Sequence, residues 1–152
     1  MEAYKQALSP NVAIASFMWA NNETGSLFPI RGMAELAKQH GILFHTDAVQ
    51  VAGKLPIQVA DSGIDLLSIS GHKFHAPKGV GALYLRRGAK FRPLLRGGHQ
   101  ERGRRAGTEN CSGIVGLGKA AELATIAMEQ DSAPIKMMSD RLEMSILART
   151  PT

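Results

Sequence analysis

The chain has 152 residues, 44% of them hydrophobic and 20% charged, with a single cysteine and a formal net charge of +5. That composition suits a globular chain with one ordinary core and excludes a disordered one. One cysteine excludes an internal disulfide and a cysteine-based zinc module, while apolar stretches such as residues 12–18, broken only by Ser16, and 64–67, broken by Asp65, are far too short to cross a bilayer.

Met1 is followed by Glu2 rather than by a basic and then apolar leader, so the expectation is a soluble, cytoplasmic chain with no membrane partner. Residues 12–18 form a mainly apolar run of strand length, and the polar stretch 21–25 that follows reads as a loop leaving its end. Ile30, Met33, Ala34 and Ala37 recur at helical spacing, with Gly41 placed where such a helix stops. Residues 42–46 read as the second strand, 64–69 as the third and 80–85 as the fourth, the last set off by Pro77 and Gly79.

Strands separated by helix-length segments define an α/β architecture, here a three-layer arrangement of a mainly parallel sheet with flanking helices. The connection from the third strand to the fourth is too short for a parallel crossover, so the fourth strand is expected to pair antiparallel.

Residues 86–105 hold eight of the eighteen basic residues and one acid, Glu101. With Phe91 as its one aromatic, this window lacks the stacking platforms of a single-strand binder, and no nucleic-acid partner is expected. A loop receiving a phosphorylated small molecule or an acidic partner surface needs the same charge. Residues 112–130 and 133–149 read as two helices, the second with Ile135, Met138, Leu142 and Ile146 along one face. There is no internal repeat and no low-complexity tract.

Ligands of open α/β sheets bind beyond the carboxyl ends of the parallel strands. Three such ends carry polar clusters: Asn21-Asn22-Glu23, the stretch from His45 through Asp47 to Gln50, and Ser70-Gly71-His72-Lys73. Any one of them has an ordinary explanation, such as Asp47 as a helix cap or Lys73 as a solvated lysine; their coincidence at one rim is the informative feature. His72 and His75 lie three apart, with His45 and Asp47 elsewhere, but no metal site is expected from them. Gly98 to Gly103 has the first spacing of a phosphate-binding loop, yet Arg104-Arg105 stands where Lys-Ser/Thr is required. Cys111 is expected to be a small buried residue at a helix start.

The motifs Asn21-Asn22-Glu23-Thr24-Gly25, His45-Thr46-Asp47-Ala48-Val49-Gln50, Gly53-Lys54-Leu55-Pro56-Ile57 and Ser70-Gly71-His72-Lys73 are followed by a glycine-rich stretch at 77–84 and by Arg105-Ala106-Gly107-Thr108. In this order and spacing they resemble the class V aminotransferase family of fold-type-I pyridoxal-phosphate enzymes, and within it the cysteine desulfurases of NifS and IscS type.

The resemblance covers nearly the whole chain and implies roles. Lys73 would hold the cofactor aldehyde covalently and, once substrate displaces it, move the proton between substrate Cα and cofactor. Asp47 would pair with the pyridine nitrogen, keeping the ring an effective electron sink. Gln50 and Asn22 would donate to the ring's phenolic oxygen, and Ser70 and His72 would hold the cofactor phosphate, joined by Thr108 from the second subunit of a homodimer.

The implied reaction removes sulfur from L-cysteine, giving alanine and a protein persulfide that passes to an iron–sulfur scaffold or another sulfur acceptor. Arg104 to Asn110 leans toward the NifS branch and nitrogenase. By the same resemblance, residues 1–110 would be part of the cofactor-binding large domain and 111–152 the beginning of a smaller C-terminal domain. The persulfide cysteine, the ring-stacking histidine and the carboxylate-binding arginine would then lie in further segments on either side. The alternatives are another class V enzyme, such as a selenocysteine lyase or an aminotransferase, and a non-catalytic fragment.

Overall fold

A computed structural model describes residues 1–150 of the chain. The elements run α1 (Glu2–Ala7), β1 (Ile14–Met18), α2 (Ile30–Gln39), β2 (Leu43–Asp47), β3 (Leu66–Ser70), a 3-10 turn (Gly71–Phe74), β4 (Gly81–Leu85), α3 (Gln100–Gly103) and α4 (Cys111–Leu147). The strands lie in the order β1-β2-β3-β4. β1, β2 and β3 are mutually parallel, and β4 pairs antiparallel to β3 with Ser70 opposite Gly81. Both the mainly parallel sheet and the reversed fourth strand are as the connection lengths require.

Helix α2 ends as its sequence predicts. Gly41 takes the left-handed conformation at φ 68° and the Ile42 N–H returns to the Ala37 carbonyl at 2.9 Å, closing the last turn. The buried side of α2, Ile30, Met33, Ala34 and Ala37, packs with Ala15, Phe44 and Leu67, which share one face of the sheet. Helix α1, not anticipated from the sequence, adds Tyr4 and Leu8 to this core. The Tyr4 hydroxyl donates to the Met33 carbonyl at 3.0 Å, and its ring meets Phe17 edge-on, with centroids 5.3 Å apart.

The opposite sheet face follows from the two-residue period: Ile14, Ser16 and Met18; Leu43, His45 and Asp47; Leu66, Ser68 and Ser70; Gly81, Leu83 and Leu85. None of these residues is buried. The described residues thus build the sheet and the helices of one face, and no helix among them covers the other.

A second, smaller core joins Ala52, Phe74, Ala76 and Ala120, so the early turns of α4 rest on the 3-10 turn. Here one expectation is corrected. Residues 112–130 and 133–149 are not two helices but parts of one, α4, which runs through Asp131, Ser132 and Pro134. Proline removes a single i→i−4 hydrogen bond, and the surrounding alanine, methionine, glutamate and lysine residues are good helix formers, so the helix carries the loss.

By length and composition, one window of α4 is apolar enough to cross a membrane. The helix also carries the ion pairs Lys119–Glu122 and Lys136–Asp140, three and four residues apart along it.

Candidate active site

The carboxyl ends of β1, β2 and β3 form one rim because the strands are parallel and in register: Met18 lies level with Asp47, and Asp47 with Ser68. The chain leaves this rim through three turns, each bearing one of the polar clusters.

Asp47 ends β2. Its Oδ1 accepts the Val49 N–H at 2.8 Å, and its carbonyl accepts the Trp19 N–H at 2.8 Å. The capping role open to any aspartate is therefore real, but it occupies one carboxylate oxygen. The other has no hydrogen-bond partner among the described residues.

Lys73 sits in the 3-10 turn, whose Gly71 and Phe74 are buried while His72 and Lys73 are exposed. The turn is tied at both ends: the Gly71 N–H donates to the Val80 carbonyl at 2.9 Å, and the Ala76 N–H to the Gly71 carbonyl at 3.0 Å. A Cβ at position 71 would stand 2.9 Å from both the Ala76 Cβ and the Leu117 Cδ1, so glycine is what lets α4 close on this turn. The Lys73 amine makes no hydrogen bond or ion pair among the described residues.

Ser70 Oγ and His72 Nδ1 lie 2.9 Å apart, a hydroxyl and an imidazole beside the lysine. Gln50 accepts from Lys54 Nζ at 3.4 Å through Oε1, which leaves its amide N–H groups without a partner.

The first turn is organised by Asn21, whose Oδ1 accepts from both the Glu23 and Thr24 N–H groups at 2.9 Å. Asn22 is exposed and unpaired among the described residues. The Asx turn it heads makes Asn21 the structural residue of the pair.

Thr108 is exposed in the segment leading to α4, and no hydrogen bond joins it to the rim. Cys111 is the first residue of α4 and is exposed rather than buried; Gly113, two positions on, is the residue that packs inward. Among the described residues no three His, Cys, Asp or Glu side chains converge as a metal site.

His45 occupies a place the sequence did not reveal. Its Nδ1 lies 2.7 Å from Ser16 Oγ on β1 and its Nε2 lies 3.2 Å from Ser68 Oγ on β3, so three strands are bridged on the open face. Burial draws the imidazole below its ordinary value, against the upward pull of the Asp47 carboxylate.

The basic window forms a cavity of about 440 Å³ lined by Arg86, Arg87, Phe91, Arg102 and Arg104. It starts at Leu85, the end of the sheet opposite the rim.

A mainly parallel sheet with a free lysine, a half-free aspartate and a serine–histidine pair at its carboxyl rim is of the α/β class that binds small ligands at that end. Residues 1–151 match the family model for aminotransferase class V, and the chain belongs to that family.

Among its relatives, it is 61% identical over 151 residues to the cysteine desulfurase NifS of Azotobacter vinelandii, spanning 99% of this chain and 38% of that protein. To a cysteine desulfurase of Gluconacetobacter diazotrophicus it is 60% identical over 149 residues, spanning 98% of this chain and 37% of the relative. Among solved structures, a NifS-like protein superposes with a TM-score of 0.90 at 37% identity, covering 97% of this chain and 41% of that one. The structure titled SspA in complex with cysteine gives a TM-score of 0.76 at 46% identity, covering 80% of this chain and 35% of that one. The chain thus spans less than half the length of the relatives it matches.

Proposed function

We propose that this chain is the lysine-bearing part of a pyridoxal-phosphate-dependent cysteine desulfurase, which takes sulfur from L-cysteine to give alanine and a protein persulfide. The observation that carries the reading is the rim itself: an unpartnered Lys73 amine beside Ser70 and His72, with one unengaged oxygen of Asp47 at the neighbouring strand end, in a chain of this family.

These groups fit pyridoxal phosphate. The cofactor supplies an electron sink for the substrate's Cα carbanion. Lys73 would hold the cofactor by its aldehyde and, when released, would move a proton between substrate Cα and the cofactor. Asp47 would offer its unengaged oxygen to the ring nitrogen, while the Val49 N–H keeps the carboxylate oriented through the other oxygen. Gln50 has free amide N–H groups to give the ring's phenolic oxygen, as does Asn22. Ser70 and His72 donate to the phosphate, and Thr108 of a second copy completes that cradle in a cytoplasmic homodimer. The division of the chain falls at residue 110, with α4 leading into the C-terminal domain. The sulfur goes to an iron–sulfur scaffold or another acceptor, with nitrogenase supply suggested by the likeness to NifS.

The test is borohydride reduction of the intact protein containing this chain, loaded with pyridoxal phosphate, followed by peptide mapping. The label should fall on Lys73, and Lys73→Ala should lose both the visible absorbance and alanine release. Label on Lys54 or Lys78 instead would sink the assignment.

A further inference from the structure

The ladder Ser16–His45–Ser68 lies directly behind Asp47. His45 and Asp47 are two apart on β2 and so share a sheet face, about 6–7 Å apart along the strand. Ser68, which holds one ring nitrogen of His45, is also the residue level with Asp47 on β3. A histidine gripped from both neighbouring strands is fixed in orientation, unlike a solvated surface histidine. Asp47 is the one charged group it faces. On β1 the flanking residues are Ile14 and Met18, on β3 they are Leu66 and Ser70, and on β4 the same face carries Gly81, Leu83 and Leu85. His72 and Lys73 come later, beyond the rim.

We infer that His45, held on the sheet face beside Asp47, must be neutral for the cofactor to be held well, and that this makes the protein's hold on pyridoxal phosphate acid-sensitive. The inference rests on the reading of Asp47 as the partner of the ring nitrogen. Electrostatics gives its direction. A neutral imidazole leaves the carboxylate as the only charge behind the ring, so a protonated ring nitrogen is favoured. An imidazolium in the same place repels that ring cation and weakens the bound cofactor.

The coupling is reciprocal. In the free protein Asp47 pulls the His45 imidazole upward; a ring cation paired with Asp47 cancels that pull, so cofactor binding must lower the pH at which His45 titrates. The sign is therefore fixed: affinity is full above the titration of His45 and falls as pH drops through it.

The experiment uses the intact protein containing this chain, with pyridoxal phosphate as the probe and its visible absorbance and fluorescence as readouts of binding. His45→Gln keeps a donor and an acceptor for the two serines but cannot titrate. Between pH 7.5 and pH 5 (chosen to bracket the ordinary histidine range of about 6.5) the wild type should lose affinity by on the order of three- to tenfold more than His45→Gln. The two should bind alike at the upper end. Every other ionisation of the protein and the cofactor is common to both proteins, so the difference isolates position 45.

A second arm needs no substitution: the His45 imidazole followed by NMR should titrate at lower pH in the loaded protein than in the apo protein. Parallel acid limbs in the two proteins, or a His45 titration unmoved by cofactor, would overturn the inference. Absence of any Lys73-linked visible band in the wild type would instead overturn the reading of the site on which it rests.

Discussion

Arg86 and Asp65 form an ion pair, yet the two should not be equally costly to remove. Asp65 is 4% exposed, whereas the Arg86 side chain is 47% exposed. Oδ2 of Asp65 accepts the Phe44 N–H at 2.9 Å, and Oδ1 accepts from Arg86 Nε at 2.8 Å and from Nη2. Arg86→Met leaves a carboxylate in a nearly closed site with one backbone N–H for company. Breaking a buried pair by removing one partner costs about 3–5 kcal/mol; the half-exposed guanidinium and the surviving Phe44 bond bring this to about 2–3 kcal/mol. Asp65→Ala instead releases a guanidinium that water can solvate, and its main cost is the orphaned Phe44 N–H, about 1–2 kcal/mol. The double variant Asp65→Ala/Arg86→Met should cost less than the two singles added together, because no charge is then left buried. Urea denaturation of the intact protein containing this chain gives the ordering, and native-state hydrogen exchange at Phe44 gives the local effect. Exchange there should speed up in Asp65→Ala well beyond its global loss of stability. An Asp65→Ala cost larger than that of Arg86→Met, or strictly additive losses, would refute the claim that the buried charge dominates. The stakes reach the rim, because this clamp ties β2, β3 and β4 together at the far end and so supports the register that sets Asp47 beside Ser68.

Gly71→Ala forces a methyl group to within 2.9 Å of Ala76 and Leu117, and overpacking of this kind costs about 1–3 kcal/mol. Because the same turn carries Lys73, borohydride labelling of Lys73 should fall with the melting temperature, and unchanged labelling in a destabilised variant would separate the two. Tyr4→Phe removes the hydroxyl that donates to Met33, at a cost of about 1 kcal/mol. Burial holds the Tyr4 phenol above its ordinary value, so the unfolded chain ionises first and wild-type stability should decline as pH rises through 10. That part of the alkaline decline should be missing from Tyr4→Phe, as urea midpoints at several pH values would show.

Much of the fold was legible because its signals are local. Apolar runs bounded by turn residues gave all four strands within two residues, and the Ile30 to Ala37 spacing with Gly41 gave α2 and its end. The antiparallel β4 followed from connection length alone. What escaped depends on packing at a distance. α1 is six residues long, too short to stand on propensity, and is held by Tyr4 and Leu8 against a core assembled from later strands. The continuity of α4 through Pro134 turns on whether neighbours can carry one missing bond, which a proline-as-breaker reading misjudges. At the site, the gathering of the polar clusters at one rim was readable, but the hydrogen bonds within them were not. Asn21 rather than Asn22 builds its turn, and His45 shows its importance only when β1 and β3 bring serines to both ring nitrogens.

The 3-10 turn bearing Lys73 is anchored by Gly71 to Val80 on one side, by Ala76 to Gly71 on the other, and by the inward side chain of Phe74. Its backbone is a fixed mount, and the only free joints near the amine are the four torsions of the lysine side chain itself. On the proposed reading this amine holds a carbon at one moment and carries a proton at the next, which needs an arm that swings from a base that does not. A more mobile base would scatter the amine over positions useful for neither task, and a stiffer arm would reach only one of them. In this architecture the 3-10 turn supplies the stillness and the side chain supplies the travel, so a single residue could serve both duties without any movement of the sheet.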